Sequence, residues 1–382
     1  MRVGTYGDTE LSDIVLTGPR LTLRPWTPQD APAVQAILQD RSMHRFLALP
    51  YPYTRVDSEL FVGTSGHEGR AEGTGLGAAA VRTDTGELVG AATLRLPTEG
   101  GRSASIGYWI APAAQGHGFA TEITDVLARW GFGLGLDRIE VWCDVRNEAS
   151  AATALRAGFG FEGVQRSGTP SADGLRHDLA RFARLAIDDG APIPPSFPRL
   201  GTPLTDGVIA IRAFAPEDIE ASYEMERDPI SLAVGFTGEA PNAESWRSRC
   251  ERAGLDRLVG RQAQFSIIDV ATGSYAGQIQ LRKVGPPDVG SFGYTVHPDF
   301  RGRGYTTRAL RLLTGWALEV AGYARLQLGA KWHNVASQKA AAAAGFQLEA
   351  TLAARLREPD GGYSDERYFA LISPKIRRSP ST

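Results

Sequence analysis

The feature that most constrains this chain is that it is written twice. Leu21-Thr22-Leu23-Arg24-Pro25-Trp26-Thr27-Pro28-Gln29-Asp30 returns 188 residues later as Ile209-Ala210-Ile211-Arg212-Ala213-Phe214-Ala215-Pro216-Glu217-Asp218. Thr85-Gly86 returns as Thr272-Gly273, and Ile106-Gly107-Tyr108-Trp109-Ile110 returns as Phe292-Gly293-Tyr294-Thr295-Val296. Arg138-Ile139-Glu140-Val141 matches Arg325-Leu326-Gln327-Leu328, Asn147 and Ser150 match Asn334 and Ser337, and Gly158-Phe159 matches Gly345-Phe346. Asp178 with Phe182 matches Asp365 with Phe369. A displacement held at 186–188 over about 160 residues is an internal duplication. Whatever one half folds into, the other half folds into as well.

Each half reads as a strand, one or two helices, three strands, a helix, a strand, a helix and a last strand. Helices are predicted near 30–40 and 216–227, and the Thr-Gly pairs sit where hairpin turns belong. Gly158 and Gly345 are placed to end their helices in the left-handed conformation. The expected fold class is α/β (α+β), with a mixed, mostly antiparallel central sheet flanked by helices in each half. At 382 residues the chain is too long for one typical core. Its divisions are expected as a loose leader at 1–15, a first domain at 16–188, a Pro-rich linker at 189–203, a second domain at 204–373 and a flexible tail at 374–382. The halves differ between the first helix and the hairpin. The first half carries Gly63, Gly66, Gly69, Gly73, Gly75 and Gly77 there, which predicts a mobile exposed loop. The second carries Asn242-Ala243-Glu244-Ser245-Trp246-Arg247-Ser248-Arg249, which predicts a charged helix.

After the Gly-Tyr strand each half has a glycine-bearing turn that opens a helix. The turns are Gln115-Gly116-His117-Gly118-Phe119-Ala120-Thr121 and Arg301-Gly302-Arg303-Gly304-Tyr305-Thr306-Thr307. Strand, glycine turn and helix present several backbone N–H groups to one anion, and the helix dipole adds to the attraction. The expected guest is a phosphate or pyrophosphate.

Bulk properties exclude several classes. A net charge of −2 without a long basic run argues against nucleic acid as an obligatory partner. No apolar run has membrane-spanning length, so no membrane partner is expected. Cys143 and Cys250 stand far apart without neighbouring ligands, so neither a disulfide framework nor a metal site is expected. A reducing cytoplasm is the expected compartment, and 37 Arg against four Lys suggests a bacterial source.

In these motifs each half resembles the GNAT acetyltransferase superfamily, and within it the branch that acetylates N-terminal amines of ribosomal proteins. The family signature Gln/Arg-x-x-Gly-x-Gly/Ala is met by Gln115, Gly118 and Ala120; the second copy has Arg301 and Gly304 but Thr306 at the last small position. Asn-x-x-Ser followed by Gly-Phe is a second point of resemblance. The resemblance implies acetyl-CoA as co-substrate and an amine as acceptor, on a protein N-terminus, an amino sugar or a small molecule. It implies that strands 104–110 and 138–144, and 290–296 and 325–331, splay to admit the pantetheine arm. Trp109, Ile110, Thr295 and Val296 would line that arm, with an oxyanion donor among the backbone N–H groups near Ile110 or Val296. Residues 115–121 and 301–307 would seat the pyrophosphate. Asn147 and Asn334 would touch the co-substrate or shape their loops, and Ser150 and Ser337 would protonate the leaving sulfur or cap their helices.

The chain departs from many relatives in having Ser105 and Ser291 where a Glu base would stand. A water chain or another carboxylate such as Glu140 would then take the amine proton. Two alternatives stay open at this point. One half is degenerate and structural, with Thr306 pointing to the second; or the chain senses acyl-CoA without turnover. The expected assembly is a monomer with pseudo-dimeric halves or a homodimer.

Overall fold

The computed structural model describes residues 5–97, 100–170, 176–236, 239–358 and 360–376. The chain divides between Pro194 and Pro195 into two compact units. Unit 1 contains β1 (Thr5–Tyr6), β2 (Thr9–Glu10), β3 (Leu16–Thr17), β4 (Leu21–Arg24), α1 (Ala31–Leu38), α2 (Arg55–Leu60), α3 (Gly66–Glu72), β5 (Gly75–Arg82), β6 (Leu88–Arg95) and β7 (Ser103–Ile110). It continues through α4 (Phe119–Gly133), β8 (Arg138–Asp144), α5 (Glu148–Arg156), β9 (Gly160–Pro170) and β10 (Arg176–Leu185). Unit 2 repeats the plan with β11 (Leu204–Thr205), β12 (Ile209–Ala213), α6 (Ile219–Arg227), α7 (Pro229–Val234), α8 (Ala243–Glu251), α9 (Ala253–Val259), β13 (Ala263–Asp269), β14 (Tyr275–Val284) and β15 (Val289–Val296). It ends with α10 (Tyr305–Glu319), β16 (Arg325–Lys331), α11 (Val335–Ala343), β17 (Gln347–Arg357) and β18 (Tyr363–Ile372).

Each unit is built on one eight-stranded sheet, ordered β3-β4-β5-β6-β7-β8-β10-β9 and β11-β12-β13-β14-β15-β16-β18-β17. Neighbours pair antiparallel except at the centre, where β7 pairs β8 and β15 pairs β16 in parallel. Strand alternation sends Phe292, Leu326, Leu328 and Phe369 against the Leu310, Leu313 and Trp316 stripe of α10, which forms the core of unit 2. The opposite face of unit 1 packs Ala79, Val81 and Ala91 under Val34, Leu38 and Trp26.

The duplication reaches the level of single bonds. Arg24 grips Asp30 through both terminal nitrogens, and Arg212 grips Asp218 in the same way. Both aspartates also accept from the backbone N–H three residues earlier, which fixes the strand-to-helix turn. Ser167 and Ala354 adopt positive φ at matching places, and Asp178 and Asp365 accept their N–H groups.

Two expectations fail. The glycine-rich stretch is built into regular elements: Phe61–Ser65 is a wide helical turn between α2 and α3, Gly66 and Gly69 lie in α3, and Gly75 and Gly77 lie in β5. Its glycines serve close approach: a Cβ on Gly66 would lie 2.6 Å from the Trp26 ring, and one on Gly77 would lie 2.5 Å from the Gly66 carbonyl. The leader is folded from Thr5 onward. Arg70, only 2% exposed, donates to the carbonyls of Leu11 (2.7 Å), Ser12 (3.2 Å), Ile14 (3.1 Å) and Gly77 (2.6 Å). Burial lowers its guanidinium to about 10. The Pro-rich stretch is docked at both ends: Ile193 donates to Leu155 O within unit 1, and Phe197 is fully buried in the core of unit 2. Arg377 and Arg378 of the tail, and residues 1–4, lie outside the described residues.

Replacing Arg70 with Met leaves four carbonyls without their donors. The expected cost is about 3 kcal/mol of unit 1 stability, read as a lower urea midpoint with unit 2 unchanged.

Candidate functional site

The site in each unit begins where the central ladder stops. β7 and β8 pair from Ser103↔Arg138 to Ile106↔Val141, yet β7 runs on to Ile110 and β8 to Asp144. β15 and β16 pair only from Val289↔Arg325 to Ser291↔Gln327. Beyond those points the strands part, as expected. Ala111 donates to Val89 O and His297 to Ala276 O, so alternation turns the N–H groups of Tyr108 and Ile110, and of Tyr294 and Val296, toward the gap.

Gln115 donates from Nε2 to the Ile110 carbonyl at 3.2 Å, and Arg301 donates from Nε to the Val296 carbonyl at 3.2 Å. The first signature residue thus satisfies the carbonyl at the end of the parting strand. Arg301 is further held by Asp228 (2.8 and 3.0 Å) and Ser231 (2.9 Å), and its charge holds the Asp228 carboxyl below the usual range. Its guanidinium is therefore already neutralised.

The turns themselves face outward. Gly116, Gly118, Gly302 and Gly304 all adopt φ between 74° and 80°. A Cβ on Gly116, Gly302 or Gly304 would meet nothing within 4 Å, and one on Gly118 only Arg20 at 3.5 Å. Gly118 and Gly304 cap α4 and α10, whose first N–H groups point into this open surface. Phe119 and Tyr305 turn inward, with the Tyr305 hydroxyl bonded to Asp269, so only their backbone can meet a ligand. Ala120 and Thr306 are half-buried in the first helical turn. Thr121 Oγ1 is buried without a partner, and Thr307 borders a depression of about 510 Å³ over the second turn. His117 bonds within its own turn and stacks on Phe119.

The two turns differ in the charges around them. In unit 2, Arg303, Arg308 and Arg311 line the depression beside Gly304. Arg308 pairs with Asp206 at 2.6 Å, while Arg303 lies over Phe300. The matching residues of unit 1 are His117, Glu122 and Asp125. Glu122 is taken up by Arg20 at 2.9 Å, and Asp125 by Arg129 (2.7 Å) and Arg184 (3.0 Å).

Behind the gap, on the α4–α5 face, Asn147 and Asn334 are the helix caps: each accepts from the N–H of Ser150 or Ser337 at 3.1 Å. The serines sit one turn further in, and their hydroxyls meet phenols that sequence reasoning did not single out: Tyr108–Ser150 at 2.8 Å and Tyr294–Ser337 at 2.7 Å. The duplicated Gly-Tyr was the available signal. Burial pushes Tyr108 up to about 12 and raises Tyr294, so both phenols stay protonated. Cys143 lies beside Ser150, and burial pushes its thiol up to about 12. Trp109 faces the other side of the sheet and stacks on Trp26 at 6.5 Å; Thr295 occupies the matching place in unit 2.

Glu140 cannot stand in for the absent base. Burial would raise it, but bonds from Arg138 (2.7 Å), Trp142 (2.6 Å) and Arg181 (2.7 Å) outweigh that and hold it below the usual carboxylate range. Among the described residues no group of three or more His, Cys, Asp or Glu is placed to hold a metal, and no helix is long and apolar enough to cross a membrane.

A parted parallel strand pair, opening beside a glycine-capped helix N-terminus, offers a slot for an amide-bonding arm next to a seat for an anion. The acetyltransferase (GNAT) domain matches residues 20–160 and 209–347, so the chain belongs to the GNAT acetyltransferase family and moves acetyl to an amine nitrogen. It is 33% identical over 162 residues to "Uncharacterized N-acetyltransferase YoaA" of Bacillus subtilis, which covers 41% of this chain and 91% of YoaA. It is 37% identical over 101 residues to "Putative ribosomal N-acetyltransferase YdaF" of the same species, covering 26% of this chain and 55% of YdaF. Among solved structures it is similar to Mycobacterium smegmatis RimJ in complex with CoA-disulfide, at 25% identity and a TM-score of 0.41 over 46% of this chain and 87% of that one. The residues present fit acetyl-CoA: open glycine turns, an orphaned Thr121 hydroxyl and outward N–H groups.

Asn147→Ala and Asn334→Ala should each cost about 1 kcal/mol through loss of the cap. Thermal unfolding of each variant checks this.

Proposed function

We propose that this chain transfers acetyl from acetyl-CoA to the N-terminal amine of a protein, and that unit 2 carries the turnover. The charge at the two turns is the observation that carries the second part. The donor's pyrophosphate and ribose phosphate are strongly anionic, and cations near a helix N-terminus add to its pull. Unit 2 adds Arg303 and Arg311 there, while the one arginine on the unit 1 turn, Arg20, is taken up by Glu122, and Asp125 is held by Arg129 and Arg184. Thr306, read from sequence as a mark of degeneration, adds one methyl and a hydroxyl to a half-buried place; the arginines at 303 and 311 weigh more.

The ribosomal name of YdaF supports a protein N-terminus as the acceptor class. In unit 2 the co-substrate would lie across the turn at 301–307, with its arm against the N–H groups of Tyr294 and Val296. Those groups are the donors available to a carbonyl turning into an oxyanion. The Tyr294–Ser337 pair stands on the α11 face as the proton source for the sulfur.

Thiol release should be measured with acetyl-CoA and a panel of peptides, amino sugars and small amines. Turnover is expected on peptides with free N-termini. Arg303→Glu combined with Arg311→Glu should lower kcat/KM for acetyl-CoA by about 10-fold or more, with a weaker salt dependence than the parent. His117→Glu should leave it within about 2-fold. The opposite pattern would place turnover in unit 1, and no thiol release on any amine would reject the reading.

A further inference from the structure

The family's usual strand carboxylate is missing at Ser291, and unit 2 holds another one in the right neighbourhood. β18 pairs β16 with Glu366 opposite Lys331 and Tyr368 opposite Gly329. Leu326, Leu328 and Ala330 point into the α10 core, so Gln327, Gly329 and Lys331 face the other side of the sheet, and Glu366 shares that face. The β15–β16 ladder has ended at Gln327, so Gly329 borders the gap directly.

Glu366 does not stand upright on its strand. A Cβ on Gly329 would lie 1.7 Å from Glu366 Oε1, so the carboxylate lies across β16 over the bare glycine backbone, toward the gap. Only glycine at 329 permits that path. The side chain is 9% exposed, and its nearest cation is Arg355 Nε at 3.7 Å, too far for a hydrogen bond. Lys331, its cross-strand neighbour, is committed elsewhere: its Nζ donates to Glu358 at 2.7 Å. Unit 1 has nothing comparable, because Leu179 stands in place of Glu366 and Trp142 in place of Gly329.

We propose that Glu366 is the general base of unit 2, taking the proton of the acceptor amine across the Gly329 window. This rests on the acetyl-transfer reading above. As the amine nitrogen bonds to the thioester carbon, the carbon–sulfur bond breaks. Glu366 accepts the proton the nitrogen loses, directly or through one water. The Tyr294–Ser337 hydroxyls return a proton to the sulfur, so amine and thioester become amide and thiol. Glu366 and the hydroxyl pair then exchange protons with solvent.

A base for this task works best with a raised carboxyl, and burial raises Glu366, countered in part by Arg355. The charged and titratable groups facing it are Arg355 from β17, Lys331 from β16 and Tyr368 from β18. The sign follows: activity is expected to rise with pH through a midpoint above the ordinary carboxylate range, as the carboxylate form fills.

The test uses the full chain and its best peptide acceptor. Glu366→Gln should lower kcat by about 100-fold or more, abolish that acid limb, and leave acetyl-CoA affinity by calorimetry and the melting temperature unchanged. Glu366→Asp should recover part of the rate. A second readout needs no turnover: carbon-labelled glutamate NMR should show one carboxyl titrating above the ordinary range, absent in Glu366→Gln. A Gln variant that keeps its rate and acid limb, or a carboxyl titrating in the ordinary range, overturns the proposal while leaving acetyl transfer standing. A wild-type chain without turnover on any amine rejects both.

Discussion

Everything at the site depends on a ladder that stops early. Two parallel strands in the middle of a sheet would ordinarily stay paired along their length, because buried backbone groups cost free energy when left without partners. Here β7 leaves β8 after Ile106, and β15 leaves β16 after Ser291. The freed groups are dealt with unequally. The carbonyls of Ile110 and Val296 receive bonds from Gln115 and Arg301. The N–H groups turned into the gap are aimed at whatever enters it. A donor-rich slot with its acceptors already satisfied is suited to a carbonyl-bearing chain and to an oxygen that gains negative charge. The signature's first residue therefore acts on the strand end, and the glycines that follow act on the phosphate end.

The duplication separates scaffold from chemistry. Bonds that shape the backbone persist in both copies: Arg24–Asp30 with Arg212–Asp218, Arg138–Glu162 with Arg325–Glu349, the asparagine caps and the tyrosine–serine pairs. Each needs two matched partners, so losing one leaves the other unsatisfied. Charges around the turn and on the acceptor face have no such obligation, and there the copies differ. Unit 1 pairs its acidic turn with Arg20; unit 2 assembles arginines.

Repetition made the architecture legible, because elements ambiguous in one copy are constrained by the other. What stayed hidden depended on contacts between distant residues. Gly66 and Gly77 read as a flexible loop, since a glycine that lets Trp26 or a neighbouring backbone approach looks the same in one dimension as a glycine that lets a chain move. The leader read as loose because its anchor, Arg70, stands more than 50 residues away and bonds only to backbone carbonyls, which no side-chain pattern betrays. Phe197 read as linker because its prolines were local and its core was not. At the site, Asn147 and Ser150 were legible as a pair, but which of them caps α5 depended on the turn geometry.

The carboxylates carry the same lesson into chemistry. Glu140 sits on the strand where a base was expected, yet two guanidiniums and an indole hold it in its charged form, and a group so stabilised has little tendency to take a proton. Glu366 sits one strand further out, where sequence position alone recommends nothing. Burial without a hydrogen-bonded cation raises it, and the bare backbone of Gly329 lets it lie toward the gap. Two glutamates of one family fold are thus driven apart by surroundings alone, one toward structure and one toward proton transfer. The difference comes down to Trp142 against Gly329 and Arg181 against Tyr368 at matched places on the duplicated sheets.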